Sequence, residues 1–176
     1  MGLLASSLQV IKMNSMTKFA TLCTALLLAG CATRTPPNPG DPIDVVQAKL
    51  GAPTAVYTEG GDRSLEYATG PMGQYTWMAR LGPDGRLTSY EQVLTGEKFA
   101  TIKIDQATKG QVLYTLGRPA ERSRVAMRDY EVWSYRYKEA GVWNSLMHVH
   151  FDQQGVVRQM MNASDPMYNP QDRGIW

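Results

Sequence analysis

Leu116-Gly117-Arg118-Pro119 repeats Leu50-Gly51-Ala52-Pro53 after 66 positions, and the reading of the fold turns on that repeat. In both places a glycine and a proline close a short amphipathic run. Glycine ends a helix by adopting the left-handed backbone, and the proline forbids its continuation. Upstream, Val46 corresponds to Val112 at the same offset. Downstream, Leu65 and Tyr67 correspond to Trp133 and Tyr135 at offset 68, and Tyr75 to Trp143. Leu81-Gly82-Pro83-Asp84-Gly85-Arg86-Leu87 returns as Phe151-Asp152-Gln153-Gln154-Gly155-Val156-Val157 at offset 70. Steps of two preserve the inward and outward faces of strands while loops lengthen. Matches in this order argue for one design used twice.

Each unit reads as a helix followed by a small antiparallel sheet. Asp41 is expected as the first N-cap, with Pro42 opening the helix and Ile43, Val46 and Leu50 on its apolar face. Thr108 with Gln111 predicts a capping box for the second helix, and Val112, Leu113 and Leu116 form its apolar stripe. Helices of two to three turns melt alone, so both are expected to lie on a sheet. The second sheet is expected from Glu131–Tyr137, Trp143–Phe151 and Val156–Met161, with turns at Ala140-Gly141 and Asp152-Gln153-Gln154-Gly155. The first is expected from Ser64–Ala68, Gln74–Leu81 and Leu87–Leu94, with Lys98–Ile104 as a further strand between the units.

Ahead of the repeats, Lys18, the apolar run Phe19–Leu28 and Leu28-Ala29-Gly30-Cys31 follow the order of an export signal. The run is shorter than the ~20 residues that span a membrane. An ordinary secretory signal, or a buried helix ending in Gly-Cys, would share part of this pattern. The cysteine at the cleavage point resembles the lipobox of bacterial lipoproteins. That resemblance implies a signal peptide over residues 1–30, with the true start at Met13 or Met16, and lipid on Cys31. Ala32, rather than aspartate, after the cysteine implies passage to the outer membrane in a Gram-negative host. Residues 31–40 hold Pro36, Pro37 and Pro39 and are expected to form a lipidated, extended tether. At ~3.1 Å per residue, it would reach roughly 25 Å.

Lys12 and Lys18 lie in this leader and account for the whole net charge of +2. The remainder is neutral and lacks the basic footprint of a nucleic-acid binder. With Cys23 in the signal and Cys31 lipidated, no thiol is left for a disulfide, a zinc site or a nucleophile.

A helix ending in Leu-Gly-x-Pro, strands with Trp or Tyr and a closing Phe-x-x-x-Gly-x-Val hairpin resemble the SmpA/OmlA (BamE-like) family of outer-membrane lipoproteins. Thr108, Val112 and Leu116-Gly117-Arg118-Pro119 carry the likeness, while Gln106 and Ala107 stand where the family has Gly-Met. Tandem units of similar design occur in secreted β-lactamase inhibitor proteins. The resemblance implies an α+β fold of two tandem BamE-like units, each a short N-terminal helix packed on a small antiparallel sheet, with one continuous curved sheet as an option. Residues 41–97 and 98–165 would be the units and 166–176 an irregular tail.

No catalytic motif is present. There is no Gly-x-Ser-x-Gly elbow, no His-Glu-x-x-His and no phosphate-cradling glycine loop. Carboxylates such as Glu66, Asp84, Glu131 and Asp152 read as scattered charge. His148 and His150 share a strand face, but a third metal ligand is not indicated. No enzyme activity, metal or cofactor is therefore expected. The aromatic residues exceed what a small core can bury, and Tyr130, Arg136, Met147 and His148 are the candidates for a partner surface. The expected function is a periplasmic protein-binding adaptor on the outer membrane, serving outer-membrane protein assembly or envelope integrity. The alternative is a tethered inhibitor of a periplasmic hydrolase.

Overall fold

The β-branched and aromatic runs dominate the architecture. In the computed structural model, which describes residues 35–168, strands take 45% of the described residues and helices 16%. Cys31, the leader and the tail beyond Tyr168 lie outside the described residues. β1 (Ala55–Glu59), β2 (Asp62–Ala68), β3 (Thr76–Leu81) and β4 (Leu87–Gln92) pair in chain order, all antiparallel. β5 (Glu121–Val125), β6 (Tyr130–Glu139), β7 (Trp143–Phe151) and β8 (Val157–Ser164) form a second sheet in the same manner. The helices are short: α1 (Ile43–Leu50), α2 (Gly96–Ala100) and α3 (Lys109–Leu116).

The expected α+β class is corrected by this architecture. The protein is mostly β, its two sheets are separate rather than one continuous curve, and it is not a pair of helix-on-sheet units. The physical reason is that the first sheet is buried on both faces. Leu65, Ala79, Leu81 and Leu87 pack with Val46 of α1 on one side. On the other, Ser64, Glu66 and Met78 are equally buried. Met78 joins a larger cluster with Val112 and Leu116 of α3 and with Trp133, Tyr135, Tyr137 and Phe151 of the second sheet. α3 therefore serves both sheets. Arg80 of β3 donates to the carbonyls of Tyr114 and Thr115 at 3.3 and 3.4 Å, satisfying acceptors that a helix end leaves open. The larger cluster crosses from sheet to sheet, and a smaller one lies between the first sheet and α1.

Local chemistry explains the other differences. The Thr108–Gln111 capping box is present. At α1 the cap is Pro42, and the Asp41 carboxylate instead accepts from Lys49 Nζ at 2.7 Å and Asn38 N–H at 2.9 Å. Where Lys98–Ile104 was expected as a strand, Thr95 accepts from the Lys98 N–H at 3.1 Å and starts α2, burying Phe99. The proline-rich stretch does not stay extended to its end. Pro37 is buried, and the Gly40 N–H donates to the Leu87 carbonyl at 2.7 Å. Among the described residues, no helix is long and apolar enough to cross a membrane.

Candidate functional site

Three chain segments meet at one end of the molecule: the β2–β3 loop, the β6–β7 turn and the residues after β8. Gln74 Nε2 donates to Asn144 Oδ1 at 2.9 Å, and Lys138 Nζ reaches the same oxygen at 2.7 Å. The Asp165 N–H donates to the Asn144 carbonyl at 2.9 Å, and Tyr168 Oη to the Met72 carbonyl at 2.6 Å. The β6–β7 turn takes positive φ at Ala140 (48°) and Gly141 (73°). It presents Val142 and Trp143 to solvent, Trp143 with 68% of its surface exposed. Met72, Tyr75 and Tyr168 are exposed on the neighbouring segments. Aromatic and methionine side chains on a hydrogen-bonded frame are the composition of protein contact surfaces.

Beside this end lies a cavity of about 220 Å³ between the inner face of the first sheet and β6. Glu66, Ala68, Thr76 and Leu94 line one part of it, and Tyr135 and Pro119 another. Glu66 is fully buried. Its Oε2 accepts from Tyr57 Oη at 2.5 Å and from the Arg118 N–H at 3.3 Å, while Oε1 has no partner among the described residues. Burial first, then the Glu66 carboxyl, push the Tyr57 phenol far above its ordinary range. Burial does the same to Tyr135, whose hydroxyl donates to the Gly117 carbonyl at 3.1 Å.

The sequence candidates are scattered rather than gathered. Arg136 does not reach the surface. Its side chain is 4% exposed and pairs with Glu121 at 2.5 Å and with the buried Asp165 at 3.4 Å, the latter contact lacking a well-aligned hydrogen bond. Met147 lies on the opposite face of the sheet from His148 and packs against the core. Tyr130 and His148 do share a face, both half-buried. Tyr130 sits edge-on to His150 with ring centroids 6.4 Å apart, and His148 Nδ1 is 2.8 Å from Ser134 Oγ. Burial lowers the pKa of both histidines. Among the described residues, no group of three His, Cys, Asp or Glu side chains could hold a metal. Glu66 was read as scattered charge, and no sequence signal marks its burial. Trp143 follows the Ala140-Gly141 turn, and that adjacency is the signal that could have revealed its exposure.

Residues 91–161 match the family model described as the outer membrane protein assembly factor BamE domain. The match runs from the end of β4 through most of β8, and so includes α2, α3 and the bulk of the second sheet. No curated protein matches the chain. A crystal structure of a DUF4309 family protein (YjgB) from Bacillus subtilis is similar at a TM-score of 0.31 and 16% identity, over 69% of this chain and 77% of that one. That likeness carries no argument about fold or function. Over residues 91–161, then, the chain is BamE-like.

Proposed function

We propose that the chain is a non-catalytic accessory protein of the bacterial envelope whose task is to bind another protein. In this reading Cys31 carries the lipid that holds it to the outer membrane, and the folded part faces the periplasm. The observation that carries the reading is the likeness of residues 91–161 to a domain named for outer-membrane protein assembly. The partner is accordingly a component of that assembly process. The end bearing Val142, Trp143, Met72, Tyr75 and Tyr168 supports it, because large exposed apolar groups on a fixed frame suit docking better than catalysis.

Co-purification from detergent-solubilised membranes tests this. The reading expects outer-membrane assembly components in the eluate by mass spectrometry, and their loss in a Trp143→Ser variant. Recovery of a single soluble hydrolase would contradict it. So would a deletion strain with normal outer-membrane protein levels and an intact permeability barrier.

A further inference from the structure

His148 and His150 have no third metal ligand beside them along the chain, but the β7–β8 register supplies one. His148 lies directly opposite Met161, and His150 opposite Gln159. Directly opposite residues of an antiparallel pair point to one face, with Cβ atoms about 4.5–5.5 Å apart. His150 is the diagonal neighbour of Met161, roughly 7–8 Å away and within reach of long side chains. Two imidazoles and a thioether therefore share one patch of the sheet. The patch is open, with Met161 48% exposed and both histidines only half-buried. Ser134, opposite His148 on β6, has its Oγ 2.8 Å from His148 Nδ1. An Nδ1–H donated to that hydroxyl fixes the ring and leaves the lone pair on Nε2, as metal-binding histidines are usually held. Burial lowers the pKa of both histidines, which favours the neutral form that ligates.

We propose that His148, His150 and Met161 form a binding site for monovalent copper. A thioether selects copper(I), whereas zinc takes imidazole, carboxylate or thiolate. The carboxylates nearest this face, Glu121 and Asp165, are engaged by Arg136 and offset its charge. The donors left for a metal are neutral and soft, which suits a single positive charge. The corresponding row of the first sheet shows that the fold does not itself call for them. There Met78 and Arg80 stand opposite Glu91 and Ser89. Met78 is buried with α3, and Arg80 pairs with Glu91 at 3.5 Å. The second sheet has imidazoles and an exposed thioether where the first has a buried methionine and an ion pair.

The test uses silver(I), a redox-inert stand-in for copper(I), followed by methionine-methyl and imidazole NMR. The full-length chain carries Cys23→Ser and Cys31→Ser, so that neither of its two thiols competes. Shifts of the Met161 methyl and of both imidazoles, saturating at one equivalent, are expected. Met72 and Met127, the latter 98% exposed, should stay unshifted over that range. Met161→Leu keeps the apolar bulk on an exposed position and should weaken binding at least tenfold. Copper(I) held against a competing chelator should show the same loss. Met127→Leu should change nothing. Equal shifts at Met127, or unchanged affinity in Met161→Leu, would overturn the proposal. Zinc(II) bound as tightly as silver(I) and indifferent to Met161→Leu would reveal a two-imidazole site, and would overturn it too. The site stands apart from the docking end, so its failure would leave the protein-binding reading where it is.

Discussion

Gly117 lies so close to Glu66 that a Cβ at the first position would force the carboxyl to shift. A Cβ at Gly117 would lie 2.9 Å from Glu66 Cδ and 3.1 Å from its Oε2, on a backbone with φ of 81°. Gly51, its counterpart in sequence, has φ of 86° but nothing within 4 Å of the same point. The two glycines thus separate backbone strain from crowding. Gly51→Ala should cost about 1 kcal/mol, the price of a left-handed L-residue. Gly117→Ala adds overpacking and should cost about 3 kcal/mol. Urea unfolding of both variants checks this, and equal losses would contradict the contact.

Tyr135→Phe removes the hydroxyl that donates to the Gly117 carbonyl while keeping the ring against Phe99. The expected loss is about 1 kcal/mol by denaturant unfolding, the net worth of one buried hydrogen bond.

Arg136→Ala should be among the most damaging single changes. Asp165 is fully buried, and removing its cation leaves an unpaired buried charge, a loss of about 3–5 kcal/mol. Arg136→Met combined with Asp165→Asn should recover a large part of that loss in thermal unfolding. A double variant no better than the single would show that the pair does not interact.

Acid should destabilise the fold in two stages. His148 and His150 have folded pKa values below their ordinary 6.5, chiefly through burial. The unfolded chain therefore binds their protons first, and stability is lost as pH falls from 6.5 through the folded values. Glu131, held down by Lys109 and Trp133, and Glu139, held down by Asn162 and Ser145, are lowered from 4.5. Their contribution persists above pH 4.5 and is lost as pH falls through the folded values. His148→Gln with His150→Gln should flatten the first stage of a urea-midpoint profile and leave the second in place.

Periodicity made part of this fold legible in the sequence. The strand expected from Trp143 to Phe151 matches the bounds of β7, and the spacing of Thr108 and Gln111 marks the start of α3. β5 was not legible, because Glu121–Val125 is exposed throughout and carries no apolar alternation. The separation of the sheets was hidden for a related reason. Glu66 reads as scattered charge in the sequence, yet it is fully buried, as is Ser64 beside it on β2. A polar residue at a buried position gives no pattern from which its partner can be deduced. Among the proposed surface residues, Arg136 is buried although long cations are usually exposed, and its ion pairs with Glu121 and the buried Asp165 account for its place.

Trp143 sits at the centre of the account, since its exposure is what marks the proposed docking end. A photo-crosslinking residue at position 143 in living cells should capture a component of outer-membrane protein assembly, identified by mass spectrometry. The same residue at position 154, on the β7–β8 turn, should not. No adduct from position 143, or the same adducts from both positions, would contradict the account.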